Sequence, residues 1–295
     1  MKTALFIALA IFGIVYLAVW VADIRRRRDR PVPDLRDGGI GFITNFLDTL
    51  GIGSYAPTTS IFKLWKLVPD EQIPGTLNVG HAIPTMVEAF IFMAVVQVDV
   101  TTLTLMLAAA VLGAWLGAGV VAKWSRRKIQ IGMGIALLAM AGFFLAKQLQ
   151  WIPGGGDLLG LTGAKLALAV AINAILGALM TLGIGMYAPC MILIALMGMN
   201  PRAAYPIMMG SCAFLCPVGS VRFIREGRYN LKSALGLAIG GIPGVLIAAF
   251  VVKELPLDWV RWLVIVVVIY TAIMMLRSAI TERTRVPVPA PVTGD

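Results

Sequence analysis

The residues able to do chemistry in this chain gather around a short stretch that occurs twice. Thr49-Leu-Gly-Ile-Gly-Ser-Tyr-Ala-Pro57 recurs as Thr181-Leu-Gly-Ile-Gly-Met-Tyr-Ala-Pro189, differing only where Ser54 is replaced by Met186. Asp48 immediately precedes the first copy, where it is a candidate site residue or a backbone cap. The apolar run that follows carries Asn78, His81 and Glu88, and the run after the second copy carries Ser211 and Cys212. His81 and Glu88 are seven residues apart, so one helix can turn both to the same side. Ionisable side chains within a membrane-depth helix are functional candidates by default, which makes this pair the candidates for proton coupling. A neutral histidine bonded to a carbonyl is the competing structural role. Tyr55, Thr58, Thr59, Tyr187 and Cys190 lie where each repeated stretch re-enters a helix, and tyrosine and threonine hydroxyls can donate to an oxyanion. Gly51, Gly53, Gly183 and Gly185 allow backbone to approach a ligand closely, or simply make the turn.

This chemistry is that of binding. No metalloprotease motif occurs, and no Gly-x-Ser-x-Gly turn accompanies His81, so no catalytic residue is assigned. Cys212 and Cys216 are one helical turn apart, but with one histidine and no paired-cysteine motif they read as small apolar filler. No metal ligand and no cofactor is expected.

The elements that position these groups follow from composition. The 295 residues are 59% apolar and only 14% charged, with a mean hydropathy of +0.88. A soluble domain carries about a quarter charged residues. Successive apolar runs of about 20 residues suit bilayer spans, so the chain reads as an all-α polytopic membrane protein. Its net charge of +10 sits in clusters between those runs, where it fixes orientation, and no nucleic-acid partner is indicated. All three cysteines lie in apolar runs, which disfavours disulfides.

The repeat extends beyond the nine-residue stretch. Pro69 aligns with Pro201, Pro74 with Pro206 and, after a one-residue insertion, Pro84 with Pro217. Such register marks an internal duplication. A first apolar helix, 3–22, ends at Arg25–Arg28. Residues 39–50 and 57–66 flank the first break, and three spans follow at 74–97, 101–122 and 129–147. Residues 165–182 and 189–199 flank the second break, followed by spans at 205–224, 233–252 and 258–277. Basic clusters at Arg25–Arg28, Arg126–Lys128, Arg225–Lys232 and Arg277–Arg285 fall on one side only if each broken segment enters and returns. The alternative, full crossings, places Arg126–Lys128 outside. The expected fold is thus two inverted repeats, each a broken-helix hairpin plus three transmembrane helices, preceded by an extra N-terminal transmembrane helix. The divisions are 1–37 (helix and basic linker), 38–148 (first repeat), 149–164 (external linker), 165–278 (second repeat) and 279–295 (disordered cytoplasmic tail). The amino terminus would be outside and the carboxyl terminus cytoplasmic. Pro57 and Pro189 suit the first position of each returning half-helix. Gly113/Gly117 and Gly236/Gly240/Gly244 have the spacing of close helix packing, which could equally serve a homodimer.

On these features the chain resembles the sulfite exporter TauE/SafE family of membrane permeases over about residues 40–277. Gly51, Gly53 and Pro57 match the first family motif; Gly183, Gly185 and Pro189 match the second. Typical members continue with further glycines, whereas Ser54-Tyr55 and Met186-Tyr187 stand here, suggesting a bulkier, tyrosine-lined site. The resemblance implies transport of small sulfur-containing or organic anions, such as sulfite or sulfonates, in a bacterial inner membrane. Protons are the candidate coupling ion. Discontinuous helices in inverted repeats point independently to a secondary transporter with alternating access. The competing reading is a polyprenyl-phosphate translocase, which would need basic residues at depth.

Overall fold

The computed structural model describes residues 2–27, 31–151, 156–183, 185–250 and 258–284. The expected tail beyond Thr284, Arg28 of the first basic cluster and Gly154–Gly155 of the central link lie outside the described residues. Among the described residues, helices account for nearly all of the regular structure, and seven of them are long and apolar enough to cross a membrane.

Helix α1 (Lys2–Arg26) is followed by α2 (Leu35–Thr49) and the short α3 (Tyr55–Leu64), separated by the first repeated stretch. Three longer helices follow: α4 (Ile73–Val95), α5 (Val100–Val121) and α6 (Arg126–Gln148). The second half runs through α7 (Gly163–Met180), the short α8 (Tyr187–Leu196), α9 (Ala204–Arg225), α10 (Leu231–Phe250) and α11 (Asp258–Thr284). Helix α11 continues past the expected end at 277, so the first residues assigned to a disordered tail are helical.

Polar contacts define two faces. On the basic face, Asp34 caps α2 by accepting from the Asp37 N–H at 2.9 Å, and the Lys232 ammonium lies 2.9 Å from its other oxygen. The Asp37 amide, and then Lys232, hold the Asp34 carboxyl below the usual carboxylate range. On the same face the Tyr229 hydroxyl donates to Asp23, and the Asn230 N–H donates to Thr76 at 2.9 Å. Lys63 donates to Asp70 at 2.6 Å, and Gln130 donates to the same carboxylate at 2.8 Å. Gln72 and Lys232 line one cleft there. Both ends of the α2–α3 segment, Asp34 and Lys63, thus lie on this face.

The opposite face is built from the other ends of the helices. The Lys2 ammonium reaches the Val96 carbonyl, the Asp99 N–H donates to Leu159 at 2.7 Å, and the Asn200 N–H donates to Leu158 at 2.8 Å. Met199 and Gly156 are also paired, at 3.0 Å. The start of α7 and the end of α8 therefore meet on this face, along with Lys165 and Arg202.

Packing exchanges partners between the halves. Helix α2 packs on α10 as α7 packs on α5; α4 packs on α9, and α6 on α11. Helices α4 and α9 are central, with most of their apolar length buried, whereas α1 is mostly exposed. The glycine spacings serve these contacts within one chain. A Cβ on Gly113 would land on the Ala174 carbonyl oxygen of α7, and one on Gly240 on the Gly38 carbonyl oxygen of α2. The lipid-facing sides carry exposed apolar residues such as Ile14, Leu112 and Ile239.

Gly113→Val should therefore force α5 from α7, cost about 3 kcal/mol or more, and lower folded yield and the thermal midpoint. Gly119→Ala, on the same helix but with nothing within 4 Å of the added carbon, should leave both unchanged in a side-by-side melting experiment.

Candidate functional site

Backbone interrupted at membrane depth must find its hydrogen-bond partners within the protein. At the first break, Gly51 and Gly53 take φ of +81° and +93°, and Gly183 takes +97° at the second, a region open to glycine. The Gly51 N–H returns to the Asp48 carbonyl at 2.8 Å and the Ile52 N–H to Leu47 at 3.1 Å. Helix α3 then begins at Tyr55, and the corresponding α8 begins at Tyr187. Pro57 and Pro189 are consequently the third helical residues, not the first as expected. The correction costs the helices nothing, because the first several N–H groups have no intrahelical partner.

The Asp48 carboxyl spans the break. It accepts from the Ser54 N–H at 2.7 Å and from the Ser54 hydroxyl at 2.9 Å, so the end of α2 caps the start of α3. The two breaks touch. A Cβ built on Gly53 would meet the Tyr187 Cβ at 4.0 Å, and one on Gly185 would meet that of Tyr55 at 3.8 Å.

Helix α4 supplies the groups that connect them. Glu88 accepts from the Thr49 hydroxyl at 2.8 Å and, through its other oxygen, from the Tyr187 hydroxyl at 2.7 Å. One carboxyl thus joins the end of α2 to the start of α8. His81 lies two helical turns away, with its ring stacked on Tyr55 at 5.5 Å between centroids. Its Nδ1 is 3.0 Å from the Asn45 side-chain oxygen, and Asn45 uses its amide nitrogen on the Gly41 carbonyl at 2.8 Å. That places a proton on Nδ1, which donates to Asn45. Nε2 lies 3.1 Å from the Thr58 hydroxyl, which also sits 2.8 Å from the Ser54 carbonyl. Thr58 has one proton for two acceptors. If it donates to Nε2, His81 is neutral; if it turns to Ser54, Nε2–H donates instead and His81 is a cation. Rotation of one hydroxyl accommodates either state without moving a heavy atom.

Tyr55, Thr58, His81, Glu88 and Tyr187 are thus brought together, fully buried, with Asn45, Asp48, Thr49 and Ser54. Thr59 is buried beside them in α3, and its hydroxyl has no partner among the described residues. Cys216, one turn from Cys212, completes the wall with its sulfur 3.3 Å from the Tyr55 hydroxyl. Other expected residues lie elsewhere. Asn78 bonds the Pro74 carbonyl at 2.8 Å, nearer the basic face. Ser211 accepts from Asn173 at 3.2 Å, against α7. The Cys212 thiol points to the Met180 sulfur at 3.5 Å, and Cys190 is buried in α8. No lysine or arginine pairs with Asp48 or Glu88 among the described residues. Asn45, Asp48 and Thr49 form a polar run just ahead of the break; that run was the available signal for the α2 contribution.

The family model described as sulfite exporter TauE/SafE matches residues 1–144 and 165–294. No curated relative and no solved structure matches the chain. The chain belongs to the sulfite exporter TauE/SafE family. It is a multi-pass membrane protein and a transporter, not an enzyme, and its family implies sulfur-related anions as cargo.

Because Glu88 holds both breaks, Tyr187→Phe should remove one buried hydrogen bond and destabilise the purified protein by about 1–3 kcal/mol. Thr59→Val, which removes an unpartnered hydroxyl, should be neutral or stabilising. Parallel thermal melts in one detergent compare the two.

Proposed function

We propose that this TauE/SafE member is a secondary transporter of a small anion, such as sulfite, a sulfonate or another sulfur-containing or organic anion, and that protons couple its movement. The observation that carries the reading is the single buried network in which Glu88 bonds both helix breaks. A site shared by two discontinuous helices is what alternating access requires, since movement of one break against the other opens it to either face. The starts of α3 and α8 would present free N–H groups and the positive ends of their dipoles to the anion. Tyr55, Thr58, Thr59 and Tyr187 would add hydroxyl donors.

Charge balance supports proton coupling. Bringing an anion beside Asp48 and Glu88, with no lysine or arginine in the cluster, is unfavourable in a low-dielectric interior. Protonation of Glu88, or of His81 through the Thr58 hydroxyl, would offset that cost. The anion and the proton would then occupy the site together. The same lack of basic side chains weighs against a polyprenyl-phosphate translocase.

The arrangement also supports inverted repeats over 38–148 and 165–278, because the first broken segment starts at the basic face and the second at the opposite one. By the positive-inside rule the basic face is cytoplasmic, which puts the amino terminus outside and the carboxyl terminus in the cytoplasm of a bacterial inner membrane. With the glycine spacings used inside the chain, a homodimer would need another surface.

Proteoliposomes given a panel of sulfur oxyanions and organic acids, with and without a pH gradient, test the proposal. At least one anion should move faster than in empty vesicles, and the pH gradient should accelerate it. Tyr55→Phe should weaken apparent affinity about tenfold, the equivalent of about 1.4 kcal/mol for one lost hydrogen bond. Glu88→Gln should transport without responding to the pH gradient. Equal flux in empty and loaded vesicles for every anion would refute the transporter assignment for those substrates. A full pH response in Glu88→Gln would move the coupling to His81.

Cysteine-accessibility mapping checks the orientation. Single cysteines at Lys66 and Arg27 should label from the same side, and one at Lys165 from the other.

A further inference from the structure

Away from the central network, the α6–α11 contact opens at the basic face into a cleft of about 390 Å³. Arg126, the first residue of α6, and Arg277, near the end of α11, stand on its two sides at the level of the interface. Gln130 lies one turn deeper on α6, Ser278 stands beside Arg277 on α11, and Tyr270 and Ile273 form a deeper wall. Arg126 reaches Asp70 and Glu71 at 3.7 and 3.6 Å, which ties α6 to the turn before α4. Arg277 makes no ion pair among the described residues, and its side chain is exposed.

The wall below the arginines faces outward. Val266, Tyr270, Ile273 and Ile280 on α11 are 62%, 55%, 46% and 66% exposed, the exposure of a helix side turned to lipid. A furrow in such a surface is filled by lipid in the membrane. An unpaired guanidinium at its mouth selects among the lipids, because Arg binds phosphate oxygens in a bidentate fork and keeps its charge at any working pH. Tyrosine at this depth suits the boundary between headgroup and acyl chain. Basic recesses between transmembrane helices are where anionic headgroups bind.

We propose that this cleft is a binding site for an anionic phospholipid. The headgroup phosphate sits between Arg277 and Arg126, with Ser278 donating to it, and an acyl chain runs along Tyr270 and Ile273. The site does not depend on the identity of the transported anion. It joins a helix of the first half to one of the second at the face where the two meet.

Native mass spectrometry of the full-length protein, purified in detergent and supplied with matched phosphatidylglycerol and phosphatidylcholine, tests the assignment. The wild type should retain phosphatidylglycerol in preference. Arg277→Gln should reduce that preference about fivefold, the effect of one arginine near an anionic lipid. Its melting temperature should be unchanged, because the Arg277 side chain makes no ion pair among the described residues. Arg126→Gln should reduce the preference as well, but with some loss of stability from its contacts to Asp70 and Glu71. If Arg126→Gln fails to fold, Arg277→Gln alone decides. Equal retention of the two lipids by the wild type would overturn the proposal. So would an unchanged preference in Arg277→Gln, or retention of inorganic phosphate as strong as that of the lipid.

Discussion

The structure depends on keeping broken backbone satisfied where no water or lipid headgroup can help. A helix that stops within the membrane exposes carbonyls at one side of the gap and N–H groups at the other, each costly if left unmet. The first break meets this cost locally. Asp48 reaches over the turn to Ser54, and the turn amides fold back on Asp48 and Leu47. Glycine then lets the second break come into contact, each turn meeting the Cβ of the other's tyrosine. The remaining polar groups on α4 fall between them and bind them into one network.

The duplication is one of backbone more than of chemistry. Both halves keep the turn, the tyrosine and the proline, so their main chains follow the same course. The polar side chains do not repeat. Asp48 aligns with Met180, Thr58 with Cys190 and Thr59 with Met191. The first half supplies titratable groups, and the second supplies Tyr187 together with sulfur and hydrocarbon. A network of this kind has one polar lining and one apolar lining, and Glu88 to Tyr187 is the bond that crosses between them.

Much of this arrangement was legible in the sequence, for identifiable reasons. Gly and Pro at this density cannot continue a helix, so Gly51–Pro57 and Gly183–Pro189 announced the breaks. Basic clusters gave the grouping of helix ends, and Asp34, Lys63, Asp70 and Lys232 do share a face. His81 and Glu88 stood out because charge is rare at depth. Other features depended on three-dimensional neighbours. Asn78 and Ser211 are polar and occupy matching places on α4 and α9, yet helical rotation turns them to Pro74 and Asn173. Asn45 and Thr49 take their place in the site only from α4, whose His81 and Glu88 they bond. The start of α3 was set two residues late because proline's missing N–H is harmless at any of the unpaired first-turn positions, not only the first.

The exchange of packing partners has a consequence for how such a protein can be made or divided. Helix α2 rests on α10 and α7 on α5, with backbone oxygen of one helix lying against glycine of the other. The tightest seams therefore run between the duplicated segments rather than within them. A chain severed in the link between them would yield two fragments, each with a bare furrow shaped for the missing piece. Either half made alone would need its counterpart, supplied as a second chain, to cover those furrows.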